Sequence, residues 1–132
     1  DMPFPADDER CPCLSGSTFG ECCRPILDGR PAPTAERLMR SRYTAFSVGD
    51  DAHLRRSWHS STRPADVLSD RDTEWRRLDI MATTAGGPFD REGTVEFRAV
   101  WRDASGRGVL HERSRFVREG REWLYVDGDV LG

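Results

Sequence analysis

The stretch V-E-F-R-A-V-W-R, at residues Val95–Arg102, alternates apolar and charged side chains over most of its length. Successive side chains of a strand point to opposite faces of a sheet, so this period of two predicts a strand with one buried face. Weaker versions of the pattern predict strands at Asp79–Thr84, Val109–Arg118 and Glu122–Asp127, separated by glycine-containing turns. The second half of the chain is therefore expected to form an antiparallel meander.

The part of the chain before these strands has a helical pattern instead. Thr34 is a good helix N-cap, apolar residues recur at helical spacing over Leu38–Phe46, and Gly49 ends the helix. Two further helices are expected, one from Asp51 towards Trp58 and one within residues 64–78, whose apolar side chains need burial. Helices followed by a meander describe an α+β domain. We expect a curved antiparallel sheet wrapped on helices into a cone, with a flat sheet covered on one face as the alternative.

All four cysteines lie within thirteen residues, as Cys11-Pro12-Cys13 and the adjacent pair Cys22-Cys23. Four thiolates on one short loop match a tetrahedral zinc site, and a sphere closed by four cysteines makes the metal structural. Crossed disulfides, iron and reactive thiols are the alternatives. The sequence shows no signal peptide, and a reducing compartment disfavours disulfides. We therefore expect one structural zinc ion bound by Cys11, Cys13, Cys22 and Cys23.

The charge balance limits the classes of partner. The chain of 132 residues carries 20 basic residues, all of them arginine, and 23 acidic residues, for a net charge of −3. The two signs are interleaved, which argues against non-specific nucleic-acid binding because that needs a patch of one sign. A small, shape-specific contact with RNA stays open. No apolar run reaches about 18 residues, so we expect no membrane span and a cytoplasmic protein.

Two charged residues fall where the pattern expects apolar ones. Arg42 lies on the apolar stripe of the first helix, and Glu112 lies with Ser114 on the strand face that carries Leu110 and Phe116. Removing one partner of a buried ion pair costs about 3–5 kcal/mol, so a buried arginine and a buried glutamate need each other. They form either a structural ion pair between helix and sheet or the polar floor of a ligand pocket, and both interpretations stay open.

A second group of residues offers acid–base chemistry if the fold brings its members together. Histidine titrates near neutral pH and a carboxylate can orient it, which points to His59, His111, Tyr125 and Asp127. His53 is expected to be a solvated helix residue. The sequence has no glycine-rich phosphate loop, no His-Glu-x-x-His motif and no nucleophile elbow. Their absence lowers the expectation of an enzyme.

Several of these motifs resemble a known family. The stretch C-P-C-L-S-G at residues 11–16, followed by Cys22-Cys23, resembles the SEC-C zinc motif, named for the C-terminal end of the SecA translocation ATPase. The motifs at 33–46, 58–59, 111–116 and 123–128 are similar to the YchJ family of bacterial proteins. The resemblance spans about residues 11–128 and implies an NTF2-like fold, a cone with an internal cavity. It implies fold and metal but no reaction.

The resemblance also implies an organisation and a role for the knuckle. The regions would be a mobile leader at 1–10, a SEC-C-like zinc knuckle with a proline-rich connector at 11–33, and an NTF2-like domain at 34–132. In the translocation ATPase the knuckle is associated with docking to a partner chaperone, so by analogy we predict a protein partner here, contacted through Leu14, Phe19 and Arg24. The family has glycine at the position of Leu14, and we expect the loop to be slightly re-routed because leucine disfavours a left-handed backbone.

Two functions from different classes follow. The leading hypothesis is a zinc-binding, non-enzymatic adaptor or small-ligand-binding protein whose knuckle is a docking element. The alternative is a cofactor-independent cone enzyme, a dehydratase, isomerase or hydrolase. A homodimer formed sheet to sheet is compatible with either. The candidate pocket residues are Arg42, Tyr43, Trp58, His59, Glu112, Ser114 and Tyr125.

Overall fold

The computed structural model describes residues 4–132, which form a short helical region followed by one sheet. The elements are a 3-10 turn at Phe19–Glu21, helices α1 (Cys23–Leu27), α2 (Ala35–Val48) and α3 (Asp51–Arg56), and strands β1 (Glu74–Ala85), β2 (Glu92–Asp103), β3 (Gly106–Glu119) and β4 (Glu122–Val130). The strands form one antiparallel sheet in the order β1-β2-β3-β4. This confirms the predicted meander, with each strand longer than expected. Among residues 4–132, none of the helices combines the length and the hydropathy of a membrane span.

Helix α2 begins and ends where its sequence predicts. The Thr34 hydroxyl accepts a hydrogen bond of 3.1 Å from the backbone N–H of Arg37, which satisfies one of the free donors of the first turn. At the other end Gly49 has a φ of 77°, a left-handed conformation that glycine adopts without a Cβ clash. Its N–H donates to the carbonyl of Ala45, so the helix stops there.

The alternation of β2 gives the sheet one buried face. Val95, Phe97 and Ala99 are buried. In the register of β2 and β3, Val95 is opposite Ser114 and Phe97 is opposite Glu112. The polar residues of β3 therefore lie on the face that helix α2 covers. Helix α2 contacts β1, β2 and β4, so the sheet wraps around it as the expected cone.

The prediction of a third helix, within residues 64–78, is wrong. Within residues 64–73 no helix forms, Leu68 is 77% exposed, and Trp75 and Leu78 belong to β1. A register shift between Trp75 and Arg77 adds one residue to the strand. This β-bulge turns Trp75 and Leu78, which are three residues apart, to the same face of the sheet. The bulge thus produces the spacing that the sequence analysis interpreted as helical.

Part of the predicted leader has defined contacts with the knuckle. Arg10 pairs with Thr18 in an isolated β-bridge, and the carbonyl of Glu9 accepts a hydrogen bond of 2.8 Å from the Phe19 N–H. The Phe4 ring meets the Phe19 ring edge to face, with centroids 6.2 Å apart. Residues 1–3 of the leader lie outside the described residues, and its mobility stays a prediction.

Candidate functional site

The four cysteines form a cluster suited to a metal ion. Their Sγ atoms all lie within 4.8 Å of one another. The distance is 3.6 Å between the sulfurs of Cys13 and Cys22, and 3.9 Å between those of Cys22 and Cys23. A tetrahedral zinc ion with Zn–S bonds of about 2.3 Å places its sulfurs about 3.8 Å apart. The thiols are buried and not joined by disulfides, so the donor set and its spacing fit a four-coordinate ion.

The loop that carries the first two cysteines is held by backbone hydrogen bonds. The Cys11 N–H donates to the carbonyl of Ser17, and the Leu14 N–H donates to the carbonyl of Cys11, each at 3.0 Å. Leu14 has a φ of 62°, the left-handed conformation that glycine prefers. The predicted re-routing of the loop is therefore wrong. The leucine takes the strained backbone instead, at a cost of about 1–2 kcal/mol.

Hydrogen bonds within the cluster lower the pKa of two cysteines and raise the pKa of the other two. The Ser15 hydroxyl lies 3.1 Å from the Cys22 sulfur. Hydrogen bonds from Cys23 and Ser15 lower the pKa of Cys22 to about 6. The pKa of Cys13 is also lowered, chiefly by a hydrogen bond from Cys11. A hydrogen bond with Cys13 raises the pKa of Cys11 to about 11, and a hydrogen bond with Cys11 raises the pKa of Cys23. Because the thiolate is the metal ligand, binding of a divalent cation would release the protons of these two thiols.

Helix α2 holds the knuckle through three polar side chains at helical spacing. Arg40 donates to the carbonyl of Cys13 at 2.9 Å, and Arg37 donates to the carbonyl of Cys22 at 3.3 Å. The Thr44 hydroxyl lies 3.3 Å from the sulfur of Cys23. The two guanidinium groups also place positive charge next to a group of thiolates. The knuckle is thus bonded to the helix along one polar face.

The opposite side of α2 borders a cavity inside the cone, with a volume of about 140 Å³. Six of the seven predicted pocket residues line it: Arg42, Tyr43, Trp58, Glu112, Ser114 and Tyr125. The rest of the wall is apolar and consists of Met39, Phe46, Trp75, Phe97, Ala99 and Leu110. The cavity is therefore aromatic on most sides, with a small group of polar side chains.

Glu112 is the centre of that polar group. Its Oε2 accepts hydrogen bonds from the Ser114 hydroxyl at 3.3 Å and from the Tyr125 hydroxyl at 3.4 Å. Burial raises the pKa of Glu112 above its ordinary value, and it also raises the pKa of Tyr125 to about 12. The cavity thus contains a carboxyl group that gains protons easily and, within hydrogen-bond reach of it, a phenol that stays protonated.

Arg42 is buried but does not form the predicted ion pair with Glu112. Its Nη1 donates to the Leu54 carbonyl at 2.9 Å and to the Ser57 hydroxyl at 2.7 Å. The guanidinium carbon lies 4.6 Å from the ring centroid of Tyr125 and 5.2 Å from that of Trp58. Aromatic rings stabilise a cation electrostatically, so the charge is accommodated without a carboxylate. Burial lowers the pKa of Arg42 to about 10, which still leaves it charged at neutral pH.

Most of the chain matches a known family. The family model described as YchJ, middle NTF2-like domain, matches residues 34–128. The chain belongs to the YchJ family. A UPF0225 protein of Corynebacterium glutamicum is 47% identical over 123 residues, covering 92% of this chain and 98% of the relative. A UPF0225 protein of Streptomyces coelicolor is 46% identical over 131 residues, covering 98% and 99%.

Two solved structures are similar to this YchJ-family chain over the knuckle and the cone together. The solution structure of RPA3114, a SEC-C motif containing protein from Rhodopseudomonas palustris, has a TM-score of 0.80 and 29% identity, covering 92% of this chain and 98% of that one. The crystal structure of a SEC-C motif containing protein from Psychrobacter arcticus has a TM-score of 0.77 and 26% identity, covering 96% and 85%. The predicted family, fold class and SEC-C motif are thus confirmed.

The acid–base group predicted around the histidines does not form in this YchJ-family chain. His59 lies outside the cavity, because its Nε2 is 2.8 Å from the Glu119 carboxylate at the surface. His111 is on the other face of the sheet, with its Nε2 2.8 Å from Glu96. Asp127 pairs with Arg115 on that same face. Tyr125 alone of the group reaches the cavity.

Two further predictions about single residues are wrong. His53 is buried instead of solvated, with its Nε2 2.9 Å from the Ser41 hydroxyl. Its neighbours Leu54 and Ser57 are also buried, and their spacing along α3 could have indicated a buried face. Phe19 was expected as an exposed contact, but it is 0% exposed beneath Phe4 and Arg24. Leu14 is 50% exposed, as a contact residue would need to be.

Sequence reasoning missed the residues of α2 that hold the knuckle. Arg37, Arg40 and Thr44 follow one another at intervals of three and four, which is the signature of one helix face. Trp75 was missed as a wall of the cavity because it was assigned to a helix. The polar side chains on the face of α2 opposite its apolar stripe could have indicated that a second segment of the chain packs there.

Proposed function

We propose that this YchJ-family protein is a zinc-stabilised, non-enzymatic protein that binds a small, largely apolar molecule in its cone. One observation carries the proposal: Glu112, Ser114 and Tyr125 form a hydrogen-bonded group at the wall of an aromatic cavity. A pocket with apolar walls and a few convergent polar groups is the usual form of a small-molecule site. The polar group fixes orientation, and the aromatic walls supply affinity.

The size of the cavity supports a ligand of about one ring. A cavity of about 150 Å³ in another protein stays dry and binds benzene, which is close to the 140 Å³ found here. The six aromatic side chains on the wall are suited to stacking against a planar molecule. They are Tyr43, Phe46, Trp58, Trp75, Phe97 and Tyr125. A compound of six to nine non-hydrogen atoms is the expected occupant.

Support for zinc as the metal comes from the donor set. Four thiolates with tetrahedral spacing are the ligands of structural zinc sites, and they leave no open position for a substrate. The four cysteines would hold one ion and fix the loop of the knuckle against α2. Reduced thiols persist in a reducing compartment, which is the reason to place the protein in the cytoplasm.

Native mass spectrometry of the protein purified under reducing conditions tests both parts. We expect a mass excess of one zinc ion and a co-purifying or added small molecule at a ratio of one. Ala99→Leu fills the cavity and should weaken binding of benzamide at least tenfold. Val100→Leu, on the opposite face of the same strand, is the matched control. Equal binding by both variants would place the ligand elsewhere and contradict the proposal.

The second candidate, a cofactor-independent enzyme, rests on the hydrogen bond between Tyr125 and Glu112. A carboxyl group with a raised pKa beside a phenol could move a proton to or from a ligand. Glu112→Gln discriminates the two functions when the co-purifying molecule is identified from both proteins. An enzyme would accumulate substrate in the variant and product in the native protein, whereas a binding protein would hold the same molecule in both.

The docking role of the knuckle is a separate part of the proposal. Leu14 and Phe4, which are 50% and 42% exposed, are apolar side chains on its surface. Leu14→Asp should then abolish binding of a protein partner while leaving the zinc content at one.

Light scattering tests whether the protein forms a homodimer sheet to sheet. The outer face of the sheet carries charged side chains such as Arg115 and Asp129, so a dimer formed through this face should dissociate in high salt.

A further inference from the structure

We infer that the cone selects a small aromatic carboxylate, bound by the free Nε and Nη2 edge of Arg42. The inference rests on the proposed function, because it names the ligand class of the same cavity. It is carried by the hydrogen-bonding state of the guanidinium, by its aromatic surroundings and by the dimensions of the space in front of it.

Arg42 uses only some of its hydrogen-bond donors. A guanidinium has five N–H groups, and the two on Nη1 are used by the Leu54 carbonyl and the Ser57 hydroxyl. The remaining three, on Nε and Nη2, have no partner among residues 4–132. Nε and Nη2 form the edge whose parallel N–H groups match the two oxygens of a carboxylate. The protein thus presents a bidentate carboxylate receptor on the cavity wall.

Two aromatic rings contact the same guanidinium from one side. The Trp58 and Tyr125 ring centroids lie 5.2 Å and 4.6 Å from its central carbon and 5.1 Å from each other, so the rings hold the group in place and leave the Nε and Nη2 edge without a partner. Arg42 is buried and forms no salt bridge among residues 4–132, although the charge of Glu112 reaches it. The aromatic rings and two hydrogen bonds already accommodate the cation, and a carboxylate on the ligand would add a charge-assisted, bidentate contact at the unused edge.

Glu112 is the group that opposes an anionic ligand. It lines the same cavity, and its Oε2 is turned towards the hydroxyls of Ser114 and Tyr125. When Glu112 is ionised, its carboxylate repels the carboxylate of the ligand, and both are attracted to the same cation, Arg42. A neutral side chain at this position should therefore strengthen binding of a carboxylate relative to binding of a neutral analogue. This sets a direction of change that a purely structural role for Glu112 does not predict.

The test compares benzoate with benzamide, which have the same shape but differ in charge. Binding to the full-length, zinc-loaded protein is measured by calorimetry at pH 7.5. We expect benzoate to bind at least tenfold more tightly than benzamide. Glu112→Gln should raise the ratio of benzoate affinity to benzamide affinity at least threefold. Arg42→Gln should remove the preference for benzoate, and Arg98→Gln on the outer face of the sheet should have no effect.

Each outcome decides the inference, including the case in which Arg42→Gln does not fold, because the native protein and Glu112→Gln then suffice. Benzamide binding as tightly as benzoate would overturn the carboxylate inference and leave the proposed function standing. A tighter benzamide complex in Glu112→Gln with unchanged benzoate would overturn it as well. Failure of both compounds to bind would overturn the carboxylate inference. The proposed function fails too if other compounds of the size of benzene bind Ala99→Leu and the native protein with equal affinity.

Discussion

The hydroxyl of Thr44 lies 3.3 Å from the sulfur of Cys23, which connects the middle of α2 to the cysteine cluster. The same hydroxyl is 3.8 Å from the sulfur of Cys11. A helix side chain thus contacts two of the four ligand atoms. Groups that hydrogen-bond to metal ligands orient them and raise metal affinity, so α2 would support a metal bound by these cysteines although it contributes no ligand.

Thr44→Val should weaken metal binding without disturbing the packing. Valine has nearly the shape of threonine but cannot hydrogen-bond to the thiolates. Loss of such a contact lowers metal affinity by about 10–100-fold. Competition with a chromophoric zinc chelator measures the change. Ser47→Ala, which removes a hydroxyl bonded to the Tyr43 carbonyl on the same helix, is the control and should shift the affinity less than threefold.

Removal of the metal should destabilise the whole chain. The cysteines belong to the same buried cluster as Leu38 and Tyr43 of the cone. The binding free energy of a structural metal is folding free energy, and without the ion the thiolates of the cluster repel one another. We expect a strong chelator, or Cys22→Ser, to lower the melting temperature by more than about 10 °C in one cooperative transition. Calorimetry that resolved two transitions, with the cone melting as before, would show independent modules.

His53 makes the stability depend on pH. Burial and the nearby Arg56 and Arg42 lower the pKa of His53 to about 3, whereas an unfolded histidine has a pKa of about 6.5. The folded state binds fewer protons, so its stability is full above pH 6.5 and falls as the pH decreases towards 3. Between pH 7.5 and 5.0 this group should remove about 2 kcal/mol from the free energy of unfolding.

Urea unfolding at the two pH values measures that loss. The comparison with His53→Gln isolates it from the titration of the carboxylates and cysteines, since glutamine keeps a hydrogen-bonding side chain that does not titrate. We expect the difference between pH 7.5 and pH 5.0 to be smaller in the variant by about 2 kcal/mol. Identical differences in the two proteins would mean that His53 is protonated in the folded state.

The strengths and failures of the sequence analysis have a common physical basis. The caps at Thr34 and Gly49 and the alternation of β2 are local, and local rules located α2 and the sheet. Trp75 and Leu78 were misassigned because a bulge gives a strand a spacing of three. The position of a bulge depends on pairing with a distant strand, which local periodicity does not contain.

The candidate site divides in the same way. The cysteine spacing was enough to predict that the four thiols cluster, because these residues are close in sequence. The rule that a buried cation needs a carboxylate misled the analysis at Arg42, whose partners are a carbonyl, a hydroxyl and two aromatic rings. His59 was named as a pocket candidate because histidine titrates near neutral pH, but the direction of its ring depends on Glu119, sixty positions away.

Gly128→Ala should disturb the polar group of the cavity directly. A Cβ atom at Gly128 would overlap Oε2 of Glu112, which lies against the glycine. The carboxyl group would have to leave its hydrogen bond with Tyr125, and overpacking of this kind costs about 1–3 kcal/mol. Urea unfolding measures the cost, with Gly87→Ala as the control, because an added Cβ there would lie 3.3 Å from the flexible side chain of Asp90 and would not overlap it.

A double-mutant cycle identifies the cause of that cost. If the clash with Glu112 is responsible, Gly128→Ala should cost at least 1 kcal/mol less in a Glu112→Ala background, where the carboxyl group is missing, than in the native protein. An equal cost in both backgrounds would assign the effect to the backbone of β4.

The shared core constrains how this protein can evolve or be engineered. Among residues 4–132, eight of the twenty buried residues of the core come from the segment before α2: Cys11, Cys13, Phe19, Cys22, Cys23, Ile26, Leu27 and Ala32. Arg37 and Arg40 in turn donate hydrogen bonds to two carbonyls of that segment. Consider a fusion that joins the segment corresponding to residues 1–33 of one relative to the cone of another. In that protein the two guanidinium groups would face a loop whose carbonyls are placed differently. The two parts are therefore expected to be inherited as a matched pair, and a successful graft would transfer the knuckle together with one face of α2.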